Sequence, residues 1–243
     1  MISLLEKNFD GWEKMEEPVP EVAPIDPEID PRVVYIHRDL EQTTIRMGHY
    51  GYNRLSPDRF PIEILNFIYG YGSFTSRLMS QIRSDRGLAY SVWGMVGRGT
   101  DLGLFTAAAQ TKPESTIEAI EAMKEITREM REEMVTPDEI QGAIDTMTNQ
   151  FVFLYDSPWK ITNQTVDLKY YGYPDDFLET YIEKLQAVTA EDVLAAARKY
   201  LRPDEMVIVV VGDREEFDGD LSRFGPLVEK ELEDYEQPSE PLF

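Results

Sequence analysis

The stretch QIRSDRGLAYSVWG, residues 81–94, places an arginine and a tyrosine seven positions apart. Arg83 carries a permanent charge on a fixed fork of N–H donors, and Tyr90 offers one hydroxyl, so both side chains suit an oxygen acceptor. The residues alone favour a simpler interpretation. In it, Arg83 is the last-turn arginine of a helix, stabilised by the helix dipole, and Tyr90 is an inward-facing aromatic of the next strand.

Other side chains with catalytic potential form no recognisable arrangement. The two histidines, His37 and His49, are twelve positions apart and fit neither H-x-x-E-H nor H-x-x-x-H. The chain has no cysteine and no G-x-S-x-G. The run GMVGRG, 94–99, falls on a predicted strand and hairpin and not on the strand-to-helix turn of a phosphate loop. We therefore predict no metal site and no catalytic residue in this chain.

The elements around Arg83 and Tyr90 follow from periodicity and turn signals. The β-rich runs of residues 32–52 surround a charged turn and predict a hairpin. A helix is predicted from Ser56 as N-cap, with Pro57 at its first position, to Gly70 or Gly72. A second helix should start at Ser73 or Thr75, carry a stripe of Phe74, Leu78 and Ile82, and stop at Gly87 in a left-handed conformation. Two strands then surround a Gly-Arg-Gly-Thr-Asp turn.

The second half of the chain is predicted to be mostly helical. Apolar residues recur at helical spacing over 112–134, and Thr136 with Glu139 forms a capping box for the next helix, which Pro158 must kink or end. Further helices are predicted at 175–187 and, after Thr189, at 190–201, followed by a buried strand at 206–213. This order indicates an α+β domain with helices packed on a largely antiparallel sheet.

Both ends of the chain differ from this domain. Residues 1–15 predict a short amphipathic helix, and 16–31 form a linker with five prolines and six acids. We therefore divide the chain into the end of a preceding segment plus linker, 1–31, a domain, 32–228, and an acidic tail, 229–243. The Tyr-Tyr-Gly-Tyr cluster at 170–173 is interpreted as a packed helix end, although tyrosines there could also touch a peptide.

The composition limits the partners of this chain. Its net charge is −22, so nucleic acid and anionic membrane surfaces should be repelled. Basic or extended polypeptide is a more natural ligand, while a solvated acidic surface explains the charge without any ligand. No apolar run is long enough to span a membrane, and no signal peptide is recognisable.

The segment GSFTSRLMSQIRSDRGLAYSV, 72–92, resembles the non-catalytic half of the insulinase/pitrilysin family of zinc metallopeptidases, which includes the mitochondrial processing peptidase. The resemblance continues in VTPDEIQGAIDTM, in DSPWKITNQTVDLKYYGYP and in YIEKLQAVTAEDVLAAARKYLRPDEMVIVVVGD. These motifs follow one another in the family's order along most of the chain. A collinear set of this kind is far more specific than any one of its motifs.

The resemblance implies a half-domain that works with a catalytic half. That half carries H-x-x-E-H and holds zinc, whereas the corresponding region here reads roughly EILNFIYG, without a histidine. The arginine and tyrosine of the non-catalytic half reach the substrate near the scissile bond, which by position implies these roles for Arg83 and Tyr90. We expect a chain that is inactive alone, binds no cofactor itself, and completes a peptide-cleaving chamber with a zinc-bearing half on the same or another chain.

A second hypothesis is a structural or interaction subunit with no role in proteolysis. The presence of Arg83 and Tyr90 at the expected spacing favours the peptidase hypothesis, because a purely structural relative would not need them. The N-terminal helix and linker are compatible with a periplasmic or secreted two-half protein, but the sequence contains no signal that fixes its location.

Overall fold

The computed structural model describes residues 2–12 and 23–231, so part of the predicted linker and most of the predicted acidic tail lie outside the described residues. The helices are α1 (Ile2–Phe9), α2 (Arg59–Asn66), α3 (Thr116–Glu132), α4 (Pro137–Phe151), α5 (Pro158–Tyr170), α6 (Phe177–Gln186) and α7 (Ala190–Tyr200). The strands are β1 (Arg32–His37), β2 (Thr43–Tyr50), β3 (Tyr52–Asn53), β4 (Ala89–Val96), β5 (Arg98–Gly99), β6 (Leu104–Thr111), β7 (Val207–Gly212) and β8 (Leu227–Lys230).

Six of these strands form one mixed sheet in the order β4-β6-β2-β7-β1-β8, while β3 and β5 form a small separate pair. The three pairs from β4 to β7 are antiparallel, and β1 is parallel to both of its neighbours. The predicted α+β class, with helices on a largely antiparallel sheet, is confirmed. Strand β8 includes Glu229 and Lys230, so the predicted domain end at residue 228 falls inside a strand.

The predicted hairpin of β1 and β2 is wrong, because β7 lies between these strands. It pairs parallel to β1, with Val34 opposite Val209, and antiparallel to β2, with Arg46 opposite the same valine. Strand β7 is the most continuously apolar of the chain, and the interior of a sheet buries such a strand better than an edge does. The β-rich runs therefore identified both strands, but their proximity in the sequence did not identify their partners.

The helices cover one face of the sheet and form the core with it. Alternate residues of the strands point to this face, and α7 also packs on both α2 and α3. Burial is complete or nearly so for Ile45, Met47, Ile62, Leu65, Phe105, Ile120, Met123, Val193, Ile208 and Val210. This layer of helices positions the edges and turns of the sheet.

Several local signals are confirmed. Thr136 with Glu139 and Thr189 with Asp192 form complete capping boxes, and α4 ends before Pro158, which starts α5. Helix α2, however, begins at Arg59 and not at Pro57, because the Ser56 hydroxyl accepts from the Asp58 N–H (3.2 Å) and holds a turn there. After Asn66 the chain continues as a π-helical turn, Phe67–Tyr71, and ends at Gly72 as expected.

The opposite face of the sheet, here called the outer face, is only partly covered in the described chain. It carries Arg46 on β2 and Trp93 on β4, both exposed. The end of the proline-rich segment lies against it: the Ile25 N–H donates to an Asp101 carboxylate oxygen (3.0 Å), and residues 28–30 border a cavity of about 480 Å³ together with β2, β6 and β7. This segment therefore contacts the domain that follows it.

Candidate functional site

Arg83 lies in a π-helical segment, Met79–Asp85, that ends at Gly87. The Leu88 N–H donates to the Ile82 carbonyl (2.9 Å), and Gly87 takes a φ of +65°, which only glycine adopts without strain. The predicted left-handed stop is confirmed. π-Helical turns are rare in proteins, and many of those that do occur lie at functional sites.

The segment between Arg83 and Tyr90 is anchored to the core by buried residues. Ile82, Leu88 and Ala89 are buried in the core, and the Leu88 carbonyl accepts a hydrogen bond from the Thr111 hydroxyl on β6. The residues between Ile82 and Leu88 are exposed, and so is Tyr90, whose ring is 51% exposed; the Arg83 and Tyr90 side chains therefore both extend away from the core. The simpler interpretation of Tyr90 as an inward-facing strand aromatic does not hold.

A β-bulge directs the Tyr90 side chain outward. Ala89 pairs with Thr111 and Ser91 pairs with Gln110, so Tyr90 is an extra residue without a partner on β6. Bulges of this kind bend a strand locally and redirect a side chain, and they are over-represented at sheet edges and beside active sites. Tyr90 is thus held at the start of edge strand β4 by a defined irregularity.

The Arg83 guanidinium is bordered by soft, uncharged groups. Its central carbon lies 5.4 Å from the Phe74 ring centroid, and Nη1 lies 3.9 Å from the Met79 sulfur. No carboxylate of residues 2–12 or 23–231, Asp85 included, forms an ion pair with it. The cation–π contact and the thioether orient the guanidinium without neutralising it.

Phe74 is a site neighbour that the sequence analysis misplaced. We expected it in the buried stripe with Leu78 and Ile82, but it is 66% exposed while those two residues are fully buried. The reason is that Phe74 belongs to a separate 3₁₀ turn, Ser73–Thr75, and does not share the axis of the helix that follows. The glycines at 70 and 72 were the available signal for this break.

A neighbouring ion pair fixes the helix that carries Arg83. Arg77 donates through Nε and Nη2 to the two carboxylate oxygens of Glu139, at 2.7 and 2.9 Å, and thereby joins this helix to the capping box of α4. Bidentate pairs of this kind impose orientation as well as attraction. The expected structural role of Arg77 is in keeping with this geometry.

Neither histidine lies in a metal-binding arrangement, and no group of three potential metal ligands occurs among the residues that the structure describes. Partner geometry assigns His49 as a neutral imidazole that donates from Nδ1 to the Tyr50 carbonyl (2.7 Å) and accepts at Nε2 from the Arg202 N–H (3.0 Å). Burial lowers the pKa of His49 to about 4. Both nitrogens are thus occupied by structural hydrogen bonds.

Comparison with known proteins identifies the family. A family model described as the peptidase M16 inactive domain matches residues 1–147. The chain belongs to this family. The resemblance read from the sequence is thereby confirmed, and so are the terms metallopeptidase, zinc protease and inactive domain as descriptions of the family.

Curated and solved relatives agree with the family assignment. An uncharacterized zinc protease of Streptomyces coelicolor is 28% identical over 186 residues, which are 76% of this M16 inactive domain and 40% of that protein. A non-peptidase homolog of Helicobacter pylori is 24% identical over 74% of the chain and 41% of its own length. The chain thus spans about two fifths of the length of these two relatives.

A solved peptidase M16 inactive domain from Pseudomonas fluorescens is 28% identical, with a TM-score of 0.74 over 80% of this chain and 47% of that one. A protease from Helicobacter pylori has a TM-score of 0.76 at 15% identity, covering 87% and 51%, and shares the fold. Within the described ranges, no helix of the M16 inactive domain combines the length and apolar content that crossing a bilayer requires.

Proposed function

We propose that this chain is the substrate-binding, non-catalytic half of a zinc-dependent endopeptidase and completes a peptide-cleaving chamber with a half that carries H-x-x-E-H. The supporting observation is that Arg83 and Tyr90 are both exposed and that neither has an oxygen acceptor among the residues described. Two donors of the expected types are thus available to a ligand outside this chain.

The chemistry of zinc proteolysis gives these donors a role. A metal-activated water attacks the peptide carbonyl, and the negative charge that develops on the carbonyl oxygen needs stabilisation. A guanidinium that cannot lose its charge and a positioned phenol can both donate to that oxygen. In this proposal, the zinc and the general base belong to the partner half, and Arg83 and Tyr90 bind the peptide near the scissile bond.

The lengths of the relatives support a second half. Those named zinc proteases are more than twice as long as their matched region, which leaves room for a domain of similar size. We propose that the zinc ligands lie in that additional part of the protein or in a separate subunit. The proposed ligand is peptide, and zinc is proposed only for the partner half.

The alternative is a structural or interaction subunit. It is favoured by the Helicobacter pylori relative, whose name describes it as a non-peptidase homolog. The two functions differ in what Arg83 and Tyr90 must do. In a structural subunit, neither donor would affect peptide cleavage by the assembled protein.

The deciding experiment uses the complete protein, in which this chain is joined to or assembled with its catalytic half. We expect Arg83→Ala and Tyr90→Phe to lower kcat/KM for a peptide substrate while zinc content and melting temperature stay unchanged. Arg86→Ala is the matched control, since Arg86 is a nearby exposed arginine that already pairs with Glu125 (3.1 Å). Wild-type kinetics in both test variants would exclude the peptidase role.

A further inference from the structure

A second concave site lies at the other end of β4. A cavity of about 590 Å³ is enclosed by α2, α4, α5, α6 and the C-terminal end of β4. Met95 on its wall is five residues beyond Tyr90, which is roughly 17 Å along a strand at about 3.3 Å per residue. The cavity is therefore separate from the surface that carries Arg83 and Tyr90.

Glu63, the central carboxylate of this cavity, is already satisfied. Its side chain is 11% exposed and accepts from Arg59 Nε (2.7 Å) at one oxygen and from the Tyr181 hydroxyl (2.7 Å) at the other. Arg98 approaches the first oxygen at 3.6 Å. Each oxygen of Glu63 thus already accepts one hydrogen bond, and Arg59 Nη1 and Arg54 Nε have none to it.

Those other donors have no acceptors within the described chain. Arg59 Nη1 and Arg54 Nε are buried without a hydrogen-bond partner, and the Arg54 guanidinium instead lies 3.4 Å above the Tyr171 ring. The Tyr52 hydroxyl makes no hydrogen bond within the described chain either, and Tyr52 lines the cavity. Both arginines line the cavity and neither has all of its donors paired, so a ligand that supplies an acceptor to the guanidinium groups facing the cavity would be favoured.

The charge around the cavity specifies the kind of acceptor. Three arginines line the cavity: Arg54, Arg59 and Arg98. The carboxylates in the same lining are Glu63 and, at the exposed rim, Asp167. In a chain of net charge −22, this is a local excess of positive charge. Guanidinium groups in a partly dry site favour an anion, and a planar carboxylate fits their donor geometry.

The remaining wall is aromatic. Tyr155, Tyr173, Phe177 and Phe151 line the cavity, and Arg59 lies over the rings of Tyr173 and Phe177 at 4.9 and 4.5 Å. Such walls accept an apolar group next to the charged one. The tyrosines of the 170–173 cluster thus face this cavity through Tyr171 and Tyr173, beyond their role in packing.

We propose that this cavity binds a carboxylate that has an apolar group beside it, the chemistry presented by the C-terminus of a peptide ending in an apolar residue. The choice of a peptide rests on the proposed function, whereas the carboxylate site rests on the cavity alone. The carboxylate lies among Arg54, Arg59 and Tyr52, and the apolar side chain contacts the aromatic wall.

Binding to the 243-residue chain tests this proposal without any catalysis. The probe is a fluorescein-labelled pentapeptide ending in phenylalanine with a free carboxylate, compared with the same peptide as its C-terminal amide. We expect the acid to bind at least about tenfold more tightly than the amide, because charge-assisted hydrogen bonds are lost with the amide. Equal binding of the two peptides, or binding of neither, would overturn the proposal.

Variants locate the binding site. Arg54→Met and Tyr52→Phe should weaken binding of the acid by about tenfold while the circular dichroism spectrum stays native. Arg223→Met removes one charge outside the cavity lining, where Arg223 pairs with Glu121, and this variant should bind like the wild type. Arg59 is not substituted, because its removal would leave the largely buried Glu63 carboxylate without its closest ion-pair partner. Unchanged affinity in both cavity variants would contradict the assignment.

Competition distinguishes the sources of the carboxylate. Displacement by N-acetylphenylalanine but not by inorganic phosphate supports a carboxylate site and shows that a small acid suffices. Displacement by phosphate at the same concentration would reduce the cavity to a general anion site and overturn the proposal. These readouts do not depend on Arg83 or Tyr90, so failure here and failure of the peptidase role are distinguishable.

Discussion

The carboxamide of Asn66 exchanges two hydrogen bonds with the main chain of Val96. Its oxygen accepts from the Val96 N–H (2.6 Å), and its nitrogen donates to the Val96 carbonyl (3.0 Å). Strand β4 is the edge of the sheet, so this side chain takes the place of a neighbouring strand at that position. The end of α2 and the end of β4 are thereby locked together.

We predict that Asn66→Ala lowers the free energy of unfolding by roughly 2–4 kcal/mol, because it leaves a buried N–H and a buried carbonyl without partners. Urea denaturation measures the loss. Asn53→Ala is the control, since Asn53, at the end of β3, also makes two side-chain hydrogen bonds, to the Thr100 carbonyl and from the Leu55 N–H, but both are exposed to solvent. Comparable losses in the two variants would show that the buried hydrogen bonds of Asn66 stabilise the protein no more than the exposed ones of Asn53.

Gly70 lies against β4 with no room for a side chain. A Cβ at Gly70 would lie 2.4 Å from the main-chain nitrogen of Gly94, which cannot move aside as a flexible side chain could. We predict that Gly70→Ala destabilises the protein by about 1–3 kcal/mol, as overpacked cores do. Gly142→Ala in α4 meets open space and should instead stabilise by about 0.5–1 kcal/mol, and thermal melting should give shifts of opposite sign.

His49 should make stability depend on pH. Its pKa is lowered by burial from 6.5 to about 4, so between these values the unfolded state binds more protons than the folded state. The contribution of neutral His49 to the free energy of unfolding is fully present above pH 6.5. It decreases by roughly 3 kcal/mol as the pH falls towards 4. In His49→Gln, the slope of unfolding free energy against pH should flatten in this window. A slope identical to that of the wild type would refute the assignment.

Arg83 and Tyr90 should be coupled if both donate to one developing charge. Removing a single oxyanion donor costs on the order of 100- to 1,000-fold in rate in a dry site, and less across a wet chamber. In the complete enzyme, the double variant should be less impaired than the product of the two single effects. Steady-state kinetics on four variants gives the coupling. Strictly multiplicative losses would mean that the two residues act on different parts of the peptide.

The isolated chain should not hold zinc. Its two histidines lie apart, and His49 uses both nitrogens for structural hydrogen bonds, so we expect well below one zinc per chain after dialysis and no peptide cleavage. Elemental analysis with an activity assay measures both. One tightly bound zinc with metal-dependent proteolysis would refute the proposed division between the two halves.

The sequence predicted those features of the fold that local chemistry decides. The capping box at Thr136, the helix start after Thr189 and the left-handed Gly87 depend on neighbouring residues, and all three formed as expected. Strand partners depend on which apolar strand is buried most deeply in the sheet. The β1–β2 hairpin was therefore predicted wrongly, although both strands were identified.

The residues proposed for the candidate site come from the sequence, but their geometry does not. Spacing and resemblance indicated Arg83 and Tyr90, whereas the bulge at Tyr90 requires the register of β6, which local sequence does not contain. The cavity around Glu63 was missed for a similar reason. Its arginines and tyrosines come from β3, α2, β5, α6 and the turns between elements, which only the tertiary fold brings together.

The position of β1 affects how the chain can be synthesised. Both neighbours of this strand, β7 and β8, come from the last part of the sequence. While the chain emerges from the ribosome, β1 has no partner until residues beyond 206 are available, so the sheet closes late and slowly. Truncation before Val207 would leave the apolar edges of β1 and β2 unpaired, and such nascent chains should depend on chaperones to avoid aggregation.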